Sequence, residues 1–121
     1  MASYVRFSVP KDIQDKQEHI LDKARKSGKI KAGSNEVTKA IERGNAKLVL
    51  IAEDVNPPEV VMHLPLICRE KRVPYSFVKT KKELGERSGT GVGTSAIAII
   101  DEGDAKKEID DLARKLSELS K

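Results

Sequence analysis

Two short segments of the chain consist almost entirely of apolar residues, KLVLIA at 47–52 and SAIAII at 95–100. A strand with this pattern is covered on both faces, because an exposed face would carry alternating polar side chains. The alternating segment PYSFVK predicts another strand at 74–79, and KIKAG is a short extended stretch. The remaining segments have apolar residues at helical spacing and are predicted helices: 10–27, 34–43, 57–72, 81–89 and 104–119. Helices that alternate with covered strands predict an α/β sandwich around a short, at least partly parallel sheet.

The length and net charge of the chain limit the classes of protein to which it can belong. A chain of 121 residues is expected to be one domain, here residues 1–121. The net charge of +4 is compatible with an anionic partner but too small to hold nucleic acid by bulk charge, so a local site must carry any recognition. No apolar run approaches the roughly 18 residues of a membrane span, and the N-terminus lacks an apolar signal core. We therefore expect a cytoplasmic protein that does not associate with membranes.

The helix predicted at 34–43 carries an unusual polar face. At about 100° per residue, Asn35, Glu36, Lys39 and Arg43 project at about 0°, 100°, 40° and 80°. An amide, a carboxylate, an ammonium and a guanidinium therefore share one quarter-turn, and these are the groups that contact base edges and phosphates. A simple solvated face of an amphipathic helix explains the same pattern and remains open on the pattern alone.

Both ends of this helix have capping signals. Ser34 offers an N-cap hydroxyl, and Gly44 stands where a left-handed residue would end the helix. Asn35 is a mediocre helix former, and in the first turn its amide can point outward beside free backbone N–H groups. Such an N-terminus is itself suited to bind an anion. The inward side is predicted to carry Val37, Ala40 and Ile41.

Other motifs have more ordinary interpretations. The glycine-rich segment 85–95 lacks the lysine of a phosphate-binding loop and leads into a strand, so a flexible connecting loop is the simpler interpretation. Acidic clusters at 53–54 and 101–104 follow predicted strands, where metal-binding carboxylates collect in α/β enzymes. An α/β phosphotransfer enzyme using Glu53, Asp54, Asp101 and Glu102 therefore stays an alternative, although turn and helix-start roles are favoured.

The histidines and the cysteine give no sign of a metal site or a nucleophile. His19 and His63 lie on different predicted helices without a second ligand at metal spacing, and each is expected to be a surface or packing residue. Cys68 is the single cysteine, and its apolar neighbourhood predicts a buried structural thiol. Pro65 is expected to kink or interrupt its helix. We expect no metal and no cofactor.

Several motifs together resemble the kink-turn RNA-binding protein family of the archaeal ribosomal L-seven-Ae type. These motifs are G-x-N-E-x-x-K at 33–39, E-R-G at 42–44, A-E-D-V at 52–55 and H-L-P-x-x-C at 63–68. The resemblance covers essentially the whole chain. It implies a single-domain three-layer α/β/α sandwich with a short mixed sheet, and it implies binding to the kink-turn, a sharply bent RNA element with tandem sheared G·A pairs.

The resemblance also assigns roles by matching position. Asn35, Glu36 and Lys39 would contact the guanine edges of the G·A pairs, which suits a carboxylate acceptor and an ammonium donor. The residues that would meet phosphates or the RNA backbone are Lys31, Gly33, Ser34, Arg43, Lys79 and Lys81. Val60, Thr90, Gly91 and Val92 would line the pocket of the extruded nucleotide. The loop at 90–93 departs from the family pattern, since it lacks the usual proline and offers Val92 as its one apolar contact.

The function implied by the resemblance is non-catalytic. The RNA partners would be large-subunit ribosomal RNA, box C/D and H/ACA guide RNAs, and RNase P RNA. In guide particles a Nop-type scaffold protein with fibrillarin, or a pseudouridine-synthase assembly, would join the complex and perform the chemistry. The free protein would be a monomer that enters ribosomes and ribonucleoprotein particles. A protein-interaction module, whose polar helix face binds a protein instead of RNA, remains the second alternative.

Overall fold

The apolar segments form the central strands of a four-stranded sheet in the computed structural model, which describes residues 3–119. The strands are β1 (Lys29–Ala32), β2 (Leu48–Ala52), β3 (Tyr75–Val78) and β4 (Ala96–Asp101). The helices are α1 (Lys11–Ser27), α2 (Ser34–Glu42), α3 (His63–Lys71), α4 (Lys81–Ser88) and α5 (Lys106–Leu119). Short 3₁₀ helices at Pro58–Val60 and Gly103–Ala105 precede α3 and α5. The sequence prediction of these elements is confirmed to within a few residues, except within 57–72.

Strand order in the sheet is β1-β4-β2-β3. β2 pairs with β3 in parallel, whereas β4 runs antiparallel to both β1 and β2, so the predicted mixed sheet is confirmed. Three strands therefore finish at the end of the sheet where β4 begins. We call this the Gly33 end, and it comprises residues 32–34, 52–54, 78–81 and 94–96.

Helices cover both faces of the sheet. α2 packs against α3, while α1 packs against α4 and α5. Every residue of β2 is buried, because this strand lies between two neighbours and beneath both helical layers. The expected α/β/α sandwich is confirmed. None of the helices within residues 3–119 combines the length and the apolar character needed to cross a bilayer.

The segment before α1 joins the core through its aromatic side chains, a packing that the sequence pattern did not predict. Phe7 packs edge-to-face on Phe77, with ring centroids 5.2 Å apart. The buried Tyr4 hydroxyl donates to the Ala52 carbonyl oxygen at 2.6 Å and accepts from the Val55 N–H at 3.1 Å. Tyr4 thus holds the chain where β2 ends and the following turn begins.

One local prediction is wrong. Ser34 does not cap α2, because it is the first helical residue and Gly33 occupies the N-cap with φ of +94°. The chain leaves β1 with the Gly33 N–H bonded to the Ala96 carbonyl oxygen at 2.9 Å, and only glycine adopts this backbone conformation readily. The helix predicted at 57–72 is interrupted as expected, at residues 61–62 between the 3₁₀ helix and α3. The break lies before α3, and Pro65 occupies its first turn, where a missing N–H costs nothing.

Candidate nucleic-acid interface

The N-terminus of α2 presents unpaired backbone donors at the Gly33 end. The first helical hydrogen bond runs from the Val37 N–H to the Gly33 carbonyl oxygen at 3.0 Å. The N–H groups of Ser34, Asn35 and Glu36 precede it and have no acceptor within the helix. The N-cap residue, Gly33, has no side chain that could cap this terminus. The result is a small region of positive potential at the surface.

The polar stripe on α2 has the predicted geometry. Asn35, Glu36, Lys39 and Arg43 are exposed, whereas Val37, Ala40 and Ile41 are buried on the opposite side. Lys39 Nζ lies 3.6 Å from Glu36 Oε1, and the two side chains are 55% and 48% exposed. Before any ligand arrives, the stripe therefore holds an acceptor and a donor side by side.

Part of this stripe lines a shallow cleft of about 50 Å³ between α2 and the sheet. Its walls include Lys31 of β1 together with Glu36, Lys39 and Arg43. Strand β1 thus supplies a third cation beside Lys39 of α2 and Arg43, the residue at the C-terminal end of this helix. The structure brings these four predicted residues together, while Asn35 lies outside the cleft near the helix N-terminus.

Two further cleft residues, Asn45 and Ile100, were missed from the sequence. Asn45 is held by the helix end. Gly44 has φ of +74° and donates to the Ile41 carbonyl oxygen at 3.0 Å, and the Asn45 N–H donates to that of Ala40 at 2.9 Å. This paired termination is favoured by glycine, as predicted. The glycine was a signal for the turn, but nothing local indicated that the turn returns Asn45 to the site.

Lys79 and Lys81 lie at the Gly33 end, where β3 leads into α4. The Lys81 N–H donates to Asp54 Oδ1 at 2.8 Å, and the Lys81 carbonyl oxygen accepts from the Thr94 N–H at 3.2 Å. These bonds join the start of α4 both to the turn after β2 and to the glycine-rich loop. The basic positions at 79 and 81 therefore share an end of the sheet with the open N-terminus of α2.

The loop at 90–93 folds back on α4. Thr90 Oγ1 lies 2.7 Å from the Val92 carbonyl oxygen and 3.1 Å from that of Gly85. A Cβ atom on Gly85 would lie 1.9 Å from the Val92 oxygen, so the close approach requires glycine. Val92 remains 70% exposed at the tip. Val60, 38% exposed, lies in the 3₁₀ helix that follows β2, a segment separate from this loop.

The acidic clusters lie far apart. Because β4 runs antiparallel to β2, Asp54 and Asp101 are at opposite ends of the sheet. Asp54 accepts from the Lys81 N–H, and Asp101 Oδ1 accepts from the Gly103 N–H at 3.0 Å. Both carboxylates thus stabilise turns and do not meet in one site. No group of three or more potential ligands suited to a metal ion occurs within residues 3–119.

The two histidines and the cysteine occupy the surface or packing positions that the sequence predicted. His19 is exposed on α1, while His63 Nε2 lies 2.7 Å from Thr38 Oγ1 and so links α3 to α2. Cys68 is fully buried, and burial raises the pKa of its thiol to about 12. A thiol with this pKa is protonated at neutral pH and is not a nucleophile.

A known protein family matches most of this chain. The model of the ribosomal protein L7Ae/L30e/S12e/Gadd45 family matches residues 15–109 of the chain. The chain belongs to this family. The matched region contains β1, α2, the cleft and the loop at 90–93. This membership confirms the resemblance to L7Ae-type proteins that the sequence motifs indicated.

A solved structure agrees with this L7Ae/L30e/S12e/Gadd45 assignment. The fold is similar to that of the Giardia lamblia 15.5kD RNA binding protein, with a TM-score of 0.88 and 30% sequence identity. The match covers 98% of this chain and 99% of that chain. The similarity therefore extends to the segment before α1 and to α5, which lie largely outside the matched family region.

Proposed function

We propose that this protein binds RNA without catalysing a reaction, and that it recognises kink-turns. One observation carries the proposal: the open N-terminus of α2 lies beside a stripe that combines an amide, a carboxylate and two cations. Membership of the L7Ae/L30e/S12e/Gadd45 family and the similarity to a protein described as RNA binding support it.

Base recognition is assigned to Asn35, Glu36 and Lys39. A carboxylate accepts from the guanine N1 and N2 hydrogens, whereas an ammonium donates to O6 and N7. In the free protein Glu36 and Lys39 satisfy each other across 3.6 Å. An exposed ion pair of this kind is worth at most about 1 kcal/mol, so exchanging it for two contacts with guanine costs little.

Backbone contacts are assigned to the cations around the stripe and to the open amides. Lys31 and Arg43 line the same cleft as the base-contacting pair and would hold the phosphates that flank the bases. The amides of Gly33 and Ser34 are assigned to the RNA backbone at the helix N-terminus. The Gly33 N–H already donates to the Ala96 carbonyl oxygen, so Ser34 supplies the N–H that has no acceptor within the helix. Affinity should therefore fall as salt rises.

The extruded nucleotide is assigned to the other part of the Gly33 end. Lys79 and Lys81 would attract its phosphate, while Val60 and Val92 offer exposed apolar surface to its base. The Thr90 hydroxyl is engaged within the loop, so Thr90 and Gly91 would shape this surface more than donate to it. Val60 and Val92 would approach a shared base from two separate segments.

In the cell the protein would select the kinked conformer from an RNA ensemble, because it binds that conformer more tightly. The proposed RNAs are large-subunit ribosomal RNA, box C/D and H/ACA guide RNAs, and RNase P RNA. The proposed protein partners are a Nop-type scaffold with fibrillarin and a pseudouridine-synthase assembly. We further propose that the free protein is a monomer and that it works in cytoplasmic ribosomes and ribonucleoprotein particles.

Titration with two RNAs tests this function. One RNA contains a kink-turn, and in the other the tandem G·A pairs are replaced by Watson–Crick pairs. We expect the first to bind more tightly by at least about tenfold at one stated salt concentration. Equal affinity for the two RNAs would end the kink-turn proposal, and binding to neither would favour a protein-interaction module.

A further inference from the structure

A chain of hydrogen bonds connects the start of α3 to the first turn of α2. Thr38 Oγ1 lies 2.7 Å from the Ser34 carbonyl oxygen and 2.7 Å from His63 Nε2. Thr38 and His63 are both half-buried, so water competes poorly for these contacts. Neither side chain has a role in the proposed function.

The distances determine which group donates at each step. A threonine hydroxyl has one proton to donate and can accept further hydrogen bonds. Two oxygens at 2.7 Å repel each other unless a proton lies between them, so Thr38 donates to the Ser34 carbonyl. His63 Nε2 must then donate to Thr38 Oγ1. The Nε2–H tautomer and the imidazolium both meet this requirement, whereas the neutral Nδ1–H tautomer does not.

The anchored carbonyl fixes one of the open donors of the interface. The Ser34 C=O and the Asn35 N–H belong to the same planar peptide unit, so an oxygen held in place also holds the direction of that N–H. The first turn of a helix frays readily because few hydrogen bonds retain it. A second bond to the Ser34 oxygen, beyond the one that the helix supplies, opposes this fraying.

The same chain of bonds links two separate parts of the interface. His63 is the first residue of α3 and follows the 3₁₀ helix Pro58–Val60 by three residues. A contact between His63 and Thr38 therefore ties the segment that carries Val60 to the turn that carries Asn35 and Glu36. Fixing these two segments against each other reduces the ordering that binding would otherwise require.

We propose that His63 is a positioning residue for RNA recognition, acting through the Thr38 hydroxyl on the Ser34–Asn35 peptide unit. This inference rests on the proposed function, since the recognised ligand is the same kink-turn RNA. His63 itself need not touch the RNA. Its contribution is to keep the N-terminus of α2 in the conformation that binds.

Substitutions at both ends of the hydrogen-bond chain test the proposal. Thr38→Val keeps the shape of the side chain but removes the hydroxyl, and His63→Leu removes the donor. Each should weaken kink-turn binding by roughly three- to tenfold, and the double variant should be little worse than either. Thr38→Ser and His63→Gln restore a donor of similar reach and should bind within about twofold of the parent protein.

Ser27→Ala is the matched control. Ser27 Oγ donates to the Lys23 carbonyl oxygen at 2.7 Å and accepts from the Asp104 N–H at 2.9 Å. It repeats the same pattern of bonds at the end of the sheet opposite the interface. This variant should lose stability without losing RNA affinity. If Thr38→Val behaves like Ser27→Ala, the contact is structural and the positioning role is overturned.

Two measurements on the RNA-free protein separate this inference from the proposed function. The ¹⁵N chemical shifts of His63 should show a protonated Nε2, and the Val37 amide should exchange with solvent faster in Thr38→Val than in the parent. An unprotonated Nε2, or unchanged exchange, would overturn the positioning role. Failure of the parent protein to prefer kink-turn RNA would instead overturn the function, whatever these two results are.

Discussion

Glu36→Ala separates a role in stability from a role in recognition. In the free protein the Glu36 carboxylate is 48% exposed and its ion pair with Lys39 spans 3.6 Å. Exposed pairs contribute about 0.2–1 kcal/mol, and alanine is the better helix former. The free energy of unfolding, measured by urea denaturation, should therefore change by less than about 1 kcal/mol.

RNA binding should respond much more strongly to the same change. A carboxylate that contacts a base edge contributes about 1–3 kcal/mol of discrimination. This range corresponds to roughly a five- to 150-fold rise in the Kd for kink-turn RNA. The RNA with replaced G·A pairs lacks the recognised edges, so its Kd should rise far less. Fluorescence anisotropy with both RNAs at one salt concentration gives the two values.

Arg43→Ala is the comparison that can refute this reasoning. Arg43 lines the same cleft but is assigned to a phosphate, so its loss should weaken both RNAs about equally. It should also reduce the slope of log K against log salt by about 0.7–0.9. If the two variants change discrimination and salt dependence alike, then the division between base-contacting and phosphate-contacting residues is wrong.

Other parts of the structure give further predictions. Tyr4→Phe removes a buried hydroxyl bonded to Ala52 at 2.6 Å and should cost about 1–3 kcal/mol of unfolding free energy in urea. Gly85→Ala places a Cβ atom 1.9 Å from the Val92 oxygen, so it should lower Tm and shift the amide resonances of the loop; an unchanged Tm would contradict the close approach. Burial raises the pKa of Cys68 to about 12, so the unfolded state loses its proton first as pH rises above about 9. Stability should then fall by about 1.4 kcal/mol per pH unit between these values through this group, and Cys68→Ala should remove that share of the slope.

Local periodicity predicted the elements because burial imposes it on each segment separately. The apolar run at 47–52 required a strand covered on both faces, and β2 is such a strand. The stripe on α2 followed from the helical repeat alone. The same reliance on periodicity missed the burial of Gln17, because this polar residue lies on the apolar side of α1 and breaks the pattern. In the fold its Nε2 donates to the Phe77 carbonyl oxygen at 3.0 Å, and its Oε1 accepts from the Ser76 hydroxyl.

Contacts between distant segments could not be predicted in this way. The direction of β4 decides that Asp54 and Asp101 lie at opposite ends of the sheet, yet no residue of β4 signals its direction. Likewise, the link between Thr38 and His63 joins residues 25 positions apart, and each side chain alone is unremarkable. The candidate site was identified from the sequence mainly by its family motifs, since the pattern alone favoured a solvated helix face.

Strand β1 lies at the edge of the sheet and pairs with one neighbour. This position gives Lys31 a second role. The outer side of an edge strand has unpaired main-chain groups that can bind a strand from another molecule. Lysines at positions 29 and 31 are exposed along this short strand, and charged side chains of this kind discourage such pairing. The residue assigned to a phosphate thus also discourages strand pairing between copies of the unbound protein. A neutral apolar replacement at Lys31 would weaken RNA binding and favour aggregation together, so loss of binding by that variant should be interpreted with its oligomeric state.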